Sequence, residues 1–233
     1  MASVFIAGTD HGIGQALAHT YLDEGYTVYA TTEHEDKSLI ARTGYFSLPV
    51  DMGAPETVFD PVKDFTRRHT FDHVVLCSEM IGQISDPTDL LLHELQKLLD
   101  VNFLSMKQIL DAILIHAKAQ QVVLIGTDTT RLMQRGWGSY IATREVLNTL
   151  LPFYAEEFPD THFSTIIPNL TATSELARIF KTADTRRFPS IARIQGGLIK
   201  PPEQTAEDLI IGVKRVRDFR SGERYILDEL LKQ

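Results

Sequence analysis

The sequence predicts a single-domain, doubly wound α/β fold, a parallel sheet of about seven strands with helices on both faces. Three observations point there. Short apolar runs alternate with helical patterns along the chain. The first apolar run breaks into three closely spaced glycines, Gly8, Gly12 and Gly14, that lead straight into a helical pattern. The 233 residues show no linker, repeat period or composition shift, and that length suffices for one large core.

Ser3 to Ala7 read as a short buried strand and Gln15 to Glu24 as a helix with Ile13, Ala16, Leu17 and Tyr21 on one face. Tyr26 to Thr32, Tyr45 to Val50 and His73 to Cys77 are the next strands, with a helix over Ala54 to Arg68 whose Val58, Val62 and Phe65 are spaced by four and three. A long helical region runs from about Thr88 to Lys118, then a strand at Gln121 to Thr127, a helix from about Trp137 to Glu157 and a strand at His162 to Pro168. Residues 171 to 200 read as a short helix and loop, followed by a helix at Glu203 to Arg220 and a last strand at Arg224 to Leu227. In a sheet of this kind ligands bind beyond the carboxyl ends of the strands, so Asp51, Cys77, Thr127 and Pro168 are expected to converge on one crevice.

A hydrophobic content of 43% beside a charged content of 23% excludes a disordered chain, and the apolar runs are too short to span a membrane. The opening residues carry no basic stretch followed by an apolar run, so the cytoplasm is the expected compartment. Cys77 is the only cysteine, which rules out an internal disulfide and a cysteine-based metal site within one chain; no metal is expected. A net charge of −8 argues against a nucleic-acid partner and leaves a small molecule as the expected one.

The glycine segment combines close backbone approach with a helix N-terminus, whose unpaired N–H groups and partial positive charge suit a pyrophosphate without any lysine. Thr127 ends a strand, Tyr140 follows 13 residues later near a helix start, and Arg144 lies one helical turn beyond Tyr140 on the same face. A cation beside a phenol favours the phenolate, so Arg144 is expected to lower the Tyr140 pKa while Thr127 hydrogen-bonds the oxygen with which Tyr140 exchanges a proton.

Six landmarks occur in order: Ala7-Gly8-Thr9-Asp10-His11-Gly12-Ile13-Gly14, Asp51-Met52, Asn102 within Asp-Val-Asn-Phe, Thr127, Tyr140 with Arg144, and Pro168-Asn169-Leu170-Thr171-Ala172-Thr173. Together they resemble the short-chain dehydrogenase/reductase family over essentially the whole chain. The resemblance implies a Rossmann-like fold and reversible hydride transfer between a nicotinamide and a secondary alcohol or ketone. It implies that Gly8, Asp10, His11, Gly12, Ile13 and Gly14 form the cofactor loop, that Asp51 and Met52 flank the adenine, and that Pro168, Thr171 and Thr173 serve the nicotinamide. Asn102, Thr127, Tyr140 and Arg144 then occupy the catalytic positions, with Asn102 supporting a proton-relay water and Arg144 contacting the ribose. Pairing of the helices around residues 102 to 118 and 137 to 157 between subunits, giving a homodimer or homotetramer, is implied as well.

Three departures stand out. Threonine replaces the family's serine at 127 and arginine its lysine at 144; a planar guanidinium does not reproduce an ammonium's contacts. The Asn-Asn-Ala-Gly segment becomes Leu76-Cys77-Ser78-Glu79, which places a carboxylate where glycine leaves room for the cofactor. Glu79 must turn away, be neutralised or block the site. At the end of the second strand, Thr31-Thr32-Glu33-His34 carries an acid where a base would favour the phosphorylated cofactor, and Asp10 adds a second negative charge, so NAD is favoured over NADP. The family's substrate-lid region, residues 170 to 200, holds Arg178, Lys181, Arg186, Arg187, Arg193 and Lys200 against Glu175 and Asp184, which suggests an acidic substrate. Trp137 is placed to line the pocket mouth. The rival to an enzyme is a non-catalytic protein of the same fold, a nucleotide sensor or an assembly partner.

Overall fold

In the computed structural model, which describes residues 2–128 and 132–232, seven parallel strands form one sheet. In chain order the elements are β1 (Ser3–Ala7), α1 (Gly12–Asp23), β2 (Thr27–Thr32), α2 (Lys37–Ile40), β3 (Tyr45–Pro49), α3 (Phe59–Thr66), β4 (Thr70–Phe71), β5 (His73–Leu76) and α4 (Leu92–Leu99). They continue with α5 (Ser105–His116), β6 (Lys118–Ala119), β7 (Gln121–Ile125), α6 (Gly138–Glu157), β8 (His162–Ile167), α7 (Ser174–Thr182), α8 (Pro189–Gln195), α9 (Pro202–Val216), β9 (Glu223–Ile226) and α10 (Leu227–Leu231). The sheet order is β3-β2-β1-β5-β7-β8-β9, so chain order reverses between β1 and β5; β4 and β6 pair separately at the opposite end.

β1, β5 and β7 are buried along their whole length, as parallel strands covered on both faces must be. One face packs on α3, α5 and α6 through Phe5, Val62, Met106, Ile109, Ile113 and Leu147, and the other on α1, α9 and α10 through Ile6, Leu17, Val75, Leu209, Val213 and Leu227. A third, smaller cluster of Ile81, Leu132, Trp137, Tyr140, Ile179, Phe188 and Ile191 seats α7 and α8 over the carboxyl ends of the strands. Each fully buried large side chain in it contributes roughly 1.5–3 kcal/mol, enough in sum to hold this cover in place.

The helical pattern of residues 54 to 68 divides into a 3₁₀ turn at Pro55–Thr57 and α3. The long region from Thr88 begins as helix only at Leu92, and a π-helical turn at Asp100–Leu104 separates α4 from α5. Among the described residues no helix is long and apolar enough to cross a membrane.

Candidate active site

Backbone geometry makes the loop between β1 and α1 a cradle. Gly8 and Gly12 have φ of +88° and +62°, and a Cβ on Gly14 would lie 1.8 Å from the Gly8 carbonyl oxygen, so the chain closes here only without side chains. The N-cap of α1 makes no side-chain hydrogen bond and the first turn carries no acid, which leaves the amides of this turn for an anion. Gly8, Asp10, His11, Gly12, Ile13 and Gly14 line a cavity of about 1020 Å³ that runs across the carboxyl ends of β1, β5, β7 and β8.

At one end of this cavity Asp10 is tied to the β2 terminus. Its Oδ1 accepts from the amides of Glu33 at 2.7 Å and His34 at 2.6 Å and lies 2.9 Å from the Thr32 hydroxyl. Glu33 and His34 line the cavity, whereas Thr32 is buried behind it. Asp51 does not join the convergence expected of it: it is exposed, and its carboxylate accepts from the Gly53 amide at 2.8 Å in a local turn. Met52 is buried, its amide 3.3 Å from Glu33 Oε1 and its carbonyl accepting from the Ser105 hydroxyl at 2.7 Å. Neither residue is part of the cavity wall.

At the other end four side chains form a chain of contacts. Thr127 Oγ1 and the Tyr140 hydroxyl are 2.7 Å apart, and the Tyr140 hydroxyl donates to Glu79 Oε2 at 2.9 Å. Glu79 Oε2 in turn lies 3.5 Å from Arg144 Nε. Glu79 thus points into the site rather than to bulk solvent. Arg144 is buried, and its two terminal nitrogens donate to the carbonyls of Ser78, at 3.3 Å, and Ile125. It lies behind the cavity wall, not on it.

The expectation that Arg144 lowers the Tyr140 pKa is corrected by this arrangement. Burial and the Glu79 carboxylate push the phenol well above its ordinary value, and the opposing effects of Arg144 and of the Thr127 hydrogen bond do not offset them. Burial also pushes the Cys77 thiol up to about 12, with Glu79 adding to the shift. Asn102 sits inside the π-helical turn, fully buried; its Oδ1 accepts from the Met80 amide at 2.7 Å, and its Nδ2 donates to the Met80 carbonyl at 2.8 Å and to Thr143 Oγ1 at 3.0 Å. One N–H bond and the Oδ1 therefore hold the loop that carries Glu79, and the other N–H is spent on Thr143 of α6.

A family model for short chain dehydrogenases matches residues 2–184. The chain belongs to the short-chain dehydrogenase family. Benzil reductase ((S)-benzoin forming) of Bacillus cereus is 24% identical, the match covering 98% of this chain and all of that one. A short chain dehydrogenase family protein from Francisella tularensis superposes with a TM-score of 0.83 at 17% identity over the full length of both chains. The 3-ketoacyl-(acyl-carrier-protein) reductase from Brucella melitensis, solved with NADH, superposes with a TM-score of 0.76 at 13% identity, covering 97% of this chain and 96% of that one.

Membership in a family of NAD(P)-dependent oxidoreductases implies a nicotinamide dinucleotide, and the cradle fits one: a Cβ at Gly8 or Gly14 would collide with Ser78 or with Gly8 itself, and the helix amides are uncapped. Pro168, Thr171 and Thr173 line the same cavity, with the Thr173 hydroxyl accepting from the Leu176 amide at 3.2 Å as the cap of α7. The short-chain dehydrogenase's cover over the strand ends departs most from its sequence. Arg178 pairs with Glu175 at 3.0 Å, Arg187 with Asp86 at 2.5 Å and with Asp89, and Lys200 with Asp208 at 2.8 Å and Asp228 at 3.7 Å. Arg135 and Arg187 together hold the Asp86 carboxyl far below the usual carboxylate range. Of the six cations only Arg193, which donates to Gln134, and the doubly paired Lys200 reach the cavity, beside Asp10, Glu33, Glu79 and Glu175. Leu132, Trp137, Leu176, Ile194 and Leu198 add an apolar stretch of wall, interrupted by Gln134, Ser190 and Asp128. Leu198 belongs to a loop that sequence reading treated only as a carrier of charges; its apolar residues at 188, 191, 194 and 198 were the available signal.

Proposed function

We propose that this short-chain dehydrogenase interconverts an apolar ketone and its secondary alcohol, with NAD as the preferred cofactor. The observation that carries the reading is the 2.7 Å contact between Thr127 and Tyr140 in a cavity continuous with the glycine cradle. A bound nicotinamide supplies or takes up the hydride. Tyr140 exchanges the proton with the substrate oxygen and Thr127 orients that oxygen by a hydrogen bond. The backbone of Gly8 and of Gly12 to Gly14 holds the pyrophosphate, and Thr173 serves the nicotinamide amide. Asp10 supports the preference for NAD, because its carboxylate already fills the two amides that an adenosine 2′-phosphate would need.

The paired cations weaken the case for an acidic substrate, whereas the leucines, Ile194 and Trp137 favour a hydrophobic or aryl group. The similar benzil reductase is named for an aryl diketone, which makes benzil the first carbonyl to try. A homodimer or homotetramer accords with the apolar patch shared by α5 and α6, where Ile115 and Phe153 are 60% and 64% exposed beside Leu114 and Leu150.

The test is calorimetric titration with NAD⁺, NADH, NADP⁺ and NADPH, followed by benzil reduction with whichever binds. Micromolar NADH binding and turnover are expected; a protein that binds none of the four is not this enzyme. The retreat of Arg144 from the cavity wall favours one other reading, a nucleotide sensor or assembly partner that has lost the chemistry. That reading expects R144K/E79G to gain turnover that the natural chain lacks.

A further inference from the structure

We propose that Glu79 is a catalytic residue, the proton acceptor and donor of Tyr140, so that the proton of the reaction travels along the line substrate oxygen, Tyr140, Glu79, solvent. The proposal rests on the functional reading above, and it turns Glu79 from an obstruction into a working part of the site.

Proton counting gives the direction. A phenol has one proton, and in the 2.9 Å contact the Tyr140 hydroxyl gives it to Glu79 Oε2. The 2.7 Å contact with Thr127 must then be a bond that Thr127 donates while no substrate is bound, and its single proton turns to the substrate oxygen when one enters. The Tyr140 oxygen keeps a lone pair for a substrate hydroxyl, and its own proton already points at a carboxylate.

Among the described residues, neither Arg144 nor Asn102 can take that proton. Arg144 is permanently charged, and its terminal nitrogens are committed to the Ser78 and Ile125 carbonyls. Its Nε has no hydrogen-bond partner and faces Glu79 at 3.5 Å, a buried positive edge that steadies the carboxylate without accepting anything. Both Nδ2 protons of Asn102 are spent on the Met80 carbonyl and Thr143, away from the cavity wall. Glu79 is 34% exposed in its side chain and lines the cavity, so it joins the phenol to the open space from which solvent can receive the proton. The charged and titratable groups bordering this corner are Tyr140 and Arg144 from α6, Cys77 after β5, Asp128 after β7 and Glu175 from α7.

In alcohol oxidation the substrate O–H bond breaks as its proton passes to the Tyr140 oxygen, the Tyr140 proton passes to Glu79, and the carbinol hydrogen leaves with both electrons to the oxidised nicotinamide. Glu79 then releases one proton to water. Reduction runs the same transfers backwards and consumes one proton, so the balance closes without a further reactant. Burial of Tyr140 suits this division of labour: a phenol held protonated cannot act as a free base, and it needs a partner that ionises more readily.

The experiment combines E79Q, E79G and Y140F with two readings. In the first, ¹³Cζ-tyrosine NMR follows the protein without cofactor, the Tyr140 signal being assigned by its loss in Y140F. E79Q is expected to move the Tyr140 ¹³Cζ shift at neutral pH, because the carboxylate acceptor of its proton is gone, and an unchanged shift overturns the contact. In the second, benzil reduction is measured against pH. E79Q is expected to lose at least about 100-fold in kcat at neutral pH, the range of a lost acid–base partner, and formate is expected to restore part of the activity of E79G. E79Q that keeps or exceeds natural turnover with the same pH profile refutes the proposal, since a merely structural carboxylate would leave both unmoved. Unfolding midpoints show that the variants fold. If the natural chain binds no nicotinamide, the functional reading fails separately, and the NMR comparison still decides whether Tyr140 and Glu79 share the proton.

Discussion

If Asp10 sets the proposed preference for NAD, replacing it by serine is expected to turn the site toward NADP. Asp10 Oδ1 collects the amides of Glu33 and His34 and the Thr32 hydroxyl within 2.9 Å, which makes it an internal anion seated in an anion nest. With the carboxylate gone, the two amides are released to the 2′-phosphate of NADP. Two hydrogen bonds to a charged group are worth about 3–6 kcal/mol. Glu33, which stays beside the nest and is exposed, together with solvent screening, reduces that to about 2–3 kcal/mol. The NADP⁺ dissociation constant should therefore fall by roughly 30- to 150-fold, while that of NAD⁺ changes by less than about tenfold. Calorimetry on the natural chain, D10S and D10N reads this directly, D10N keeping the side chain's shape without its charge. A natural chain that binds NADP⁺ as tightly as NAD⁺, or a folded D10S with unchanged NADP⁺ affinity, would show that the nest does not select the cofactor.

Three further outcomes are expected. His73 is buried against Tyr21, and burial lowers its pKa from 6.5 to about 4, so its contribution is intact above pH 6.5 and is lost as pH falls through about 4. That is about 3 kcal/mol of acid-sensitive stability, and urea unfolding of H73F should show a correspondingly shallower loss between pH 6.5 and pH 4. Gly14→Ala places a Cβ 1.8 Å from the Gly8 oxygen and should cost about 1–3 kcal/mol in stability and abolish measurable nicotinamide binding; thermal melts and titration check both. I115E and F153E should shift the protein toward monomer in sedimentation velocity without altering the melt by more than a few degrees, because both side chains are exposed in the single chain.

The central strands were legible because a parallel strand buried on both faces is written as an unbroken apolar run, as in Val4 to Ala7 and Val122 to Ile125, whereas the half-exposed edge strands β3 and β9 were legible from their place in the alternation of strand and helix. The failure of Asp51 has a topological reason. Sheet order reverses between β1 and β5, which puts the crevice over the ends of β1, β5, β7 and β8, while β3 is the edge strand two places away. A strand-end carboxylate is visible in sequence; its distance from the switch point is not. The π-helical turn was hidden as well, since one extra residue in a run that stays apolar on both sides leaves no trace in the hydrophobic period. The pairing of the cations in residues 170 to 200 was hidden for a related reason: the acids that neutralise Arg187 and Lys200 are Asp86, Asp89, Asp208 and Asp228, all outside that stretch of sequence.

The i, i+4 spacing did place Tyr140 and Arg144 together, but Glu79, 61 residues earlier, inserts its carboxylate between phenol and guanidinium. The departures from the family pattern at Glu79 and Arg144 are thereby one coupled change. A buried guanidinium needs acceptors and a counter-charge; the Ser78 and Ile125 carbonyls provide the first and Glu79 the second. Returning Arg144 alone to lysine would trade a planar fork for a point charge that cannot reach both carbonyls and Glu79 at once. Returning Glu79 alone to glycine would leave the Arg144 Nε facing no counter-charge in a buried site. Each single reversal is therefore expected to cost stability that the double reversal partly recovers, and the size of that non-additivity in unfolding measurements is the coupling between the two positions.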